Sequence, residues 1–199
     1  MEDSHAVELL KGGKLDGLEF LVRQYYFQAV HISYLIVQDS DLAEDVVQDA
    51  FIHAYEKIDQ LTSEHFGAWF MRVVVNASIK AAGKQKRQVS LDGHDEDAAQ
   101  VLAELLVDQR PSTEEMVESE DLRQSIWKAL SQLDPNQRAA IVMKYILEMS
   151  EAEITRELNT PLTTVKWRLH SAREKLRRLL NPLRSSSSPS EPKKKLPPS

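Results

Sequence analysis

The chain has 199 residues, and 25 lysines and arginines stand against 31 aspartates and glutamates, which gives a formal net charge of −6. The absence of cysteine excludes disulfide frameworks, thiolate zinc sites and a cysteine nucleophile. The apolar runs are far shorter than the roughly 20 residues that span a bilayer, and the acidic N-terminus lacks the apolar core of a secretion signal. We therefore expect a cytoplasmic protein without membrane insertion.

Charge is distributed unevenly along the chain. Residues 1–64 carry a net charge of −9 and residues 92–121 carry −10, whereas residues 65–91 carry +5 and residues 161–184 carry +6. Nucleic acid requires a basic surface, so the overall acidity argues against a nucleic-acid partner, but the two basic segments argue for one. This uneven charge is the first indication of function.

Apolar residues recur at helical spacing in the first part of the chain. Two apolar stripes lie on either side of residues 39–41, whose side chains suit a helix cap and a break. A third stripe begins at Phe66 and is interrupted near its end by Gly83. We predict three or four packed helices within residues 1–88, forming a first all-α domain.

The middle and the end of the chain differ in composition from the rest. Residues 89–121 hold 11 acidic side chains and only one well-formed apolar patch, within residues 101–106, which is typical of a flexible, solvated linker. Residues 184–199 are rich in serine, proline and lysine, and we expect a disordered tail there.

A second helical block is predicted over residues 122–183. Its first helix should stop at Asp134 and Pro135, which also offer a cap and a first residue to the next helix. The fold class that we predict is therefore all-α, with two small helical domains joined by a flexible acidic linker.

The last two helices of this block have the layout of a helix-turn-helix. Ser150 and Glu153 have the spacing of a capping box that opens a short helix. The final helix begins near Pro161, carries most of the basic residues and should be stopped by Pro182. In such a motif the second helix lies in the DNA major groove, which alone is wide enough to admit a helix.

The final helix separates its side chains by face. Its apolar residues would pack inward. The side chains placed to meet bases are Lys166, Trp167, His170 and Ser171. The side chains placed to meet phosphates, helped by the positive end of the helix dipole, are Thr163, Thr164, Arg168 and Arg173. The alternative interpretation is an ordinary amphipathic helix with a solvated basic face.

Four segments resemble the extracytoplasmic function (ECF) group of bacterial RNA polymerase sigma factors. The run TPLTTVKWRLHSAREKL at residues 160–176 is similar to the family's −35-reading helix, and LDPNQR at residues 133–138 is similar to the lead-in of the same domain. AEDVVQDAF at residues 43–51 resembles the polymerase-binding helix, and FGAWFMRVVVNA at residues 66–77 resembles the helix that reads the −10 element. The resemblance spans roughly residues 10–182.

This resemblance implies a promoter-specificity subunit that binds core RNA polymerase, recognises −35 and −10 DNA and aids strand opening. It implies a core-polymerase surface that consists of Glu44, Asp45, Gln48, Asp49 and Phe51. It implies a −10 surface that consists of Phe66, Arg72, Asn76, Lys80, Lys84, Lys86 and Arg87. Asn76 would read a base edge, and the loop at residues 62–67 would hold a flipped base. An anti-sigma protein is a further candidate partner, because many relatives bind one.

Several residues depart from the family's pattern. Lys80 stands where the family commonly has an acidic residue, and Ala81 and Ala82 stand where an aromatic residue is expected. Trp167 stands where the family commonly has a small residue, and Ser171 stands where it commonly has a basic one. The resemblance also gives the acidic linker two interpretations, a plain spacer or a temporary polyanion that occupies a basic channel meant for RNA.

Other classes of protein have less support. A stand-alone helix-turn-helix regulator with an N-terminal sensor domain is the alternative, but a sensor would need neither the acidic patch nor the carboxylate-free basic helix. An enzyme is not favoured, because the six histidines show no catalytic or metal-ligand spacing and no phosphate-binding glycine loop is present. We therefore expect no cofactor, no metal and no small-molecule substrate.

Overall fold

The computed structural model describes residues 2–60, 66–88 and 124–186, and every structural statement below concerns those ranges. All regular structure within them is helical, which confirms the predicted all-α class. The N-terminal block contains α1 (Asp3–Lys11), α2 (Asp16–Val37), α3 (Ser40–Glu56), a 3₁₀ turn (Ile58–Gln60) and α4 (Phe66–Gln88). The C-terminal block contains α5 (residues 124–131), α6 (Pro135–Tyr145), α7 (Glu151–Glu157) and α8 (Leu162–Ser186).

Helix α2 is the centre of the N-terminal block, where α1, α3 and α4 pack around it. Its side chains Leu21, Ile32 and Ile36 are fully buried. Gly17 allows the close approach of α1, because a Cβ at this position would lie 2.2 Å from the carbonyl oxygen of Ala6. The burial of these apolar side chains is the main source of stability for the block.

The predicted caps are present. Asp39 accepts a hydrogen bond of 2.8 Å from the Leu42 amide at the start of α3. Asp134 forms a capping box with Gln137 at the start of α6, where Pro135 is the first helical residue. Each cap satisfies backbone amides that have no partner within the helix.

The two blocks pack against each other through α2, α4 and α6. Trp127 of α5 stacks on Tyr34 of α2, with ring centroids 4.4 Å apart and an interplanar angle of 11°. Buried apolar residues of both blocks form one continuous cluster. The sequence predicted two helical units but did not predict this packing.

The structure differs from the sequence-based predictions in one additional helix and in two helix ends. Helix α1 was not predicted, because its apolar residues are few and lie outside the main stripes. Helix α4 continues through Gly83 to Gln88, since a glycine within a helix costs only about 1 kcal/mol. Helix α8 continues through Pro182 to Ser186, so its last residues include the first part of the predicted tail. There proline removes a single backbone donor near the helix end.

The acidic linker at residues 89–121, the loop at residues 62–65 and the tail beyond residue 186 lie outside the described residues. Within the described ranges, no helix is both long and apolar enough to cross a membrane.

Candidate nucleic-acid interface

Helix α3 presents an acidic face opposite its buried side. Ala43, Val46, Val47 and Ala50 are buried in the N-terminal block. The exposed side chains on the opposite side are those of Glu44, Asp45, Gln48 and Asp49, which we call the α3 acidic face. The structure thus brings together four of the five side chains that the resemblance assigned to core-polymerase binding.

Phe51 is placed differently from the other four residues. It is only 7% exposed, and its ring centroid lies 4.3 Å from that of Phe70. The exposed apolar side chains next to the acidic face are instead those of Ile52, at 57% exposed, and Tyr55, at 44%. The sequence-based assignment missed Ile52, although its position four residues after Gln48 places it on the same face.

Helix α4 carries a polar ridge at four-residue spacing. Arg72, Asn76, Lys80 and Lys84 follow one another along it, so they lie on one slowly turning side of the helix. We call these four residues the α4 ridge. Lys80 and Lys84 are exposed, whereas Arg72 and Asn76 are half-buried against the C-terminal block. The side chains of Lys86 and Arg87 lie outside the described ones.

Phe66, which the resemblance placed on the −10 surface, is a core residue in this structure. It is 1% exposed and lies among the rings of Tyr25, Trp69 and Phe70 at centroid distances of 5.5 to 5.9 Å. An aromatic side chain buried on all sides cannot stack on a base. The first residue of α4 therefore anchors the helix rather than contacting DNA in this arrangement.

Tyr25 joins α1, α2 and α4. Its hydroxyl donates to Oδ2 of Asp3, and a Cβ at Gly67 would lie 2.6 Å from its oxygen. Burial, the hydrogen bond to Asp3 and the Asp3 charge all raise the pKa of Tyr25, so its hydroxyl is protonated at neutral pH. Glycine at position 67 thus provides the space for this side chain beside α4.

One carboxylate connects α3 to α4. Oδ1 of Asp39 caps α3 at the Leu42 amide, while Oδ2 accepts a hydrogen bond of 2.9 Å from Nε2 of Gln85 near the end of α4. The same side chain therefore holds the start of α3, which carries the α3 acidic face, and the end of α4, which carries the α4 ridge.

Helices α7 and α8 form the predicted helix-turn-helix. The predicted capping box at Ser150 and Glu153 is present, with Glu153 accepting from the Ser150 amide at 2.8 Å. Hydrogen bonds from the Ser150 side chain and backbone lower the pKa of Glu153. In the turn, Asn159 has a φ of 44°, a left-handed conformation that asparagine tolerates better than most residues. Ile154, Val165 and Leu169 pack the two helices together.

The outer face of α8 carries most of the side chains that the sequence placed there. Thr163, Lys166, Trp167, His170 and Arg173 are exposed, and Thr164 and Arg168 are half-exposed. Trp167 is 61% exposed, which is unusual for so large an apolar side chain. An exposed aromatic side chain surrounded by basic ones fits contact with a charged partner that has apolar parts, such as DNA.

Ser171 is the exception on α8, because its half-buried side chain is hydrogen-bonded to α6. Its hydroxyl accepts a hydrogen bond of 3.1 Å from Nε2 of Gln137, which is 1% exposed. Oε1 of Gln137 also accepts from Nζ of Lys175 at 3.1 Å. Sequence-based reasoning missed Gln137 and Lys175, which fix the inner side of α8 and so its orientation.

The two blocks meet at a polar contact between α4 and α7. Oε1 of Glu157 accepts a hydrogen bond of 2.9 Å from Nδ2 of Asn76, and its Oε2 lies 3.2 Å from Nε of Arg72. The helix-turn-helix therefore contacts the two half-buried members of the α4 ridge. Among the described residues, no group of three or more His, Asp or Glu side chains is placed to hold a metal ion.

Comparison with known sequence families and curated proteins gives consistent matches. Residues 21–88 match Sigma-70 region 2, and residues 123–176 match Sigma-70, region 4. The chain is 32% identical over 180 residues to the ECF RNA polymerase sigma factor SigW of Bacillus subtilis (strain 168), covering 89% of this chain and 96% of that protein. It is 27% identical over 187 residues to the ECF RNA polymerase sigma-E factor of Escherichia coli (strain K12), covering 92% and 96% of the two chains.

Two solved structures have the same fold. The sigma factor RpoE from Bartonella quintana, solved with the anti-sigma factor NepR, has a TM-score of 0.60 at 23% identity, covering 82% of this chain and 96% of that one. CnrH, solved with the cytosolic domain of CnrY, has a TM-score of 0.54 at 20% identity, covering 94% of this chain and 99% of that one.

Proposed function

The chain belongs to the ECF group of RNA polymerase sigma factors. We propose that three of its surfaces bind, respectively, core RNA polymerase, the −10 element and the −35 element. As a sigma factor it binds core RNA polymerase and directs initiation at promoter DNA. The family consists of transcription initiation factors, and we infer that this chain acts in the cytoplasm and catalyses no reaction itself.

The first surface is the α3 acidic face with Ile52 and Tyr55, which we assign to core polymerase. A cluster of carboxylates suits a basic protein surface and accelerates the encounter with it. Exposed apolar side chains beside the carboxylates suit the desolvated centre of an interface. Phe51 supports this surface from within the N-terminal block.

The second surface is the α4 ridge, which we assign to the opened −10 strand. Its three cations can neutralise phosphates, and the Asn76 amide can both donate to and accept from a base edge. Lys86 and Arg87, which follow in the sequence, extend the basic charge. Phe66 and Gly67 position the helix and do not take part in binding.

The third surface is the outer face of α8, which we assign to the −35 element. The observation that carries this assignment is a helix-turn-helix whose second helix presents a basic face and the 61% exposed Trp167 to the solvent. The side chains in contact with DNA would be those of Thr163, Thr164, Lys166, Trp167, Arg168, His170 and Arg173. Ser171 would act by holding α8 against α6.

The proposal extends to domains and partners. We assign residues 1–88 and 122–183 to separate DNA-reading units, with residues 89–121 as a linker that spaces them on the promoter. An anti-sigma protein is a proposed partner. Both similar structures were solved as complexes, and the protein bound to RpoE in one of them is an anti-sigma factor. A stand-alone regulator with a sensor domain is disfavoured by the match of residues 21–88 to Sigma-70 region 2.

Transcription in vitro with purified core polymerase and a promoter library tests the assignment. Asn76→Ala should weaken opening at the −10 element while core binding stays intact. Asp45→Ala with Gln48→Ala should weaken core binding, while the complexes that do form open the −10 element normally. Trp167→Ala should reduce or alter selection at the −35 position, whereas Ser171→Ala should have a smaller effect. Core binding that supports no promoter-dependent start would contradict the proposal.

A further inference from the structure

The outer face of α8 carries one large apolar side chain that the fold does not use. Trp167 is 61% exposed, and within the described ranges its indole makes no hydrogen bond and no ring contact. Val165 and Leu169 are 0% and 2% exposed and lie two positions before and after it, so they are about 200° away around the helix. Trp167 therefore lies opposite the apolar contact that joins α7 to α8.

The position of Trp167 along α8 suits contact with a base. The helix begins at Leu162, so Trp167 lies in its second turn. In a helix-turn-helix the N-terminal residues of the second helix are those that reach base edges in the major groove. Lys166 and Arg173 are exposed on the same helix, and their cations suit the neighbouring phosphates. Ser171, one turn after Trp167, is already hydrogen-bonded to α6.

The chemistry of the indole limits which base it can select. Its ring nitrogen donates a hydrogen bond and cannot accept one, and the rest of the ring system is apolar. In the major groove only thymine presents a methyl group, which lies beside the O4 acceptor, whereas cytosine presents an amino donor at the same edge. An indole packed on thymine buries the methyl group. An indole packed on cytosine leaves the amino donor without an acceptor, which is unfavourable.

We propose that Trp167 selects a thymine in the −35 element by packing its indole on the C5 methyl group. This inference rests on the proposed assignment of the outer face of α8 to −35 DNA. Duplex DNA is favoured over a protein as the partner of the indole, because residues 161–184 carry a net charge of +6. Burial of one methyl group should raise the affinity about three- to fivefold.

Removal of the methyl group from the DNA tests this contact. The full-length protein, reconstituted with purified core polymerase, first selects promoters from a library that is randomised across the −35 region. Each thymine of the selected −35 sequence, on either strand, is then replaced singly by deoxyuridine, which lacks only the methyl group. One such replacement should lower the promoter affinity of the parent protein about three- to fivefold. The same replacement should not change the affinity of Trp167→Ala.

Two further variants and one further base separate the methyl contact from other effects. Trp167→Phe keeps an apolar ring without the N–H group, so it should retain the loss on deoxyuridine. Leu179→Ala removes another exposed apolar side chain of α8, about three turns later, and should behave as the parent protein does. At the sensitive position, 5-methylcytosine should be bound about three- to fivefold better than cytosine. Circular dichroism checks that the helices of every variant are intact.

The outcomes distinguish this inference from the proposed function. The thymine contact is overturned by a selected −35 sequence without thymine, by a parent protein that deoxyuridine does not affect at any thymine, or by equal sensitivity in Trp167→Ala. It is also overturned if Trp167→Ala loses affinity for core polymerase and not for DNA, because the indole would then bind a protein. A selection that enriches no base in the −35 region would instead contradict the assignment of α8 to the −35 element.

Discussion

Arg138 of α6 donates a hydrogen bond of 2.7 Å from Nε to the carbonyl oxygen of Ile36, in the last turn of α2. Its Nη1 also donates to the Leu133 carbonyl at 2.8 Å and to Oε1 of Gln38 at 3.1 Å. Burial lowers the pKa of Arg138 to about 10, against the raising effect of nearby Asp134, so the guanidinium is still charged at neutral pH. A side chain from one block thus caps a helix of the other.

Arg138→Ala should lower the free energy of unfolding by about 2–4 kcal/mol, because it leaves the Ile36 and Leu133 carbonyls without a donor. Urea denaturation measures the change. The control, Arg23→Ala, removes an exposed arginine of α2 and should cost less than about 1 kcal/mol. Equal costs for the two variants would contradict the role given to Arg138.

Two glycine-to-alanine substitutions should have opposite effects on stability. Gly17→Ala places a methyl group 2.2 Å from a backbone oxygen of α1 and should cost about 1–3 kcal/mol. Gly83→Ala adds a methyl group where no atom lies within 4 Å, and it should stabilise α4 by about 0.5–1 kcal/mol. Thermal unfolding of the two variants checks both signs. A loss of stability in Gly83→Ala would show that this part of α4 is not helical.

Ile52→Ala should weaken core-polymerase binding about tenfold, because the side chain adds apolar contact beside the α3 acidic face. Its effect on the free energy of unfolding should be within about 0.5 kcal/mol, since Ile52 is 57% exposed. Competition for purified core polymerase measures the affinity. Leu15, at 63% exposed and between α1 and α2, provides the control, and unchanged binding in both alanine variants would remove Ile52 from the interface.

The stability of the protein should fall in mild acid because of His31. Its Nδ1 is buried without a hydrogen-bond partner among the described residues, and burial lowers its pKa below the ordinary 6.5. The unfolded chain therefore takes up a proton at this position before the folded chain does. The stabilising contribution of neutral His31 is present above pH 6.5 and is lost as the pH falls through the lowered pKa.

His31→Leu removes this titration. The difference in free energy of unfolding between pH 7.5 and pH 5.5 should become smaller than in the parent protein, as measured by urea denaturation at both pH values. The same pH dependence in both proteins would assign the acid sensitivity to other groups.

Local features of the fold were predictable because each is specified by residues close in sequence. The caps at Asp39, Asp134 and Ser150, the amphipathic faces of α3 and α8 and the helix-turn-helix all depend on spacings of three or four residues. The predicted exposure of the α3 acidic face and of Trp167 follows from the same periodicity.

Contacts between distant residues were not predictable in the same way. Arg138 and Ile36 are 102 positions apart, and Asn76 and Glu157 are 81 positions apart, so no local pattern pairs them. The sequence placed Phe66 on an apolar stripe and also on a DNA surface, and only the surrounding rings of the folded chain decide between the two. Ser171 was placed outward because its buried partner, Gln137, lies on another helix.

The shared carboxylate of Asp39 has a mechanical consequence. Asp39 holds the first turn of the helix assigned to core polymerase and, through Gln85, the far end of the helix assigned to the promoter strand. Because Asp39 adds a polar link to the packing of Phe51 on Phe70, a force on α4 from captured DNA would also act on the first turn of α3. A displacement of α4 on binding the DNA strand would then be transmitted to α3, the helix that we assign to core polymerase.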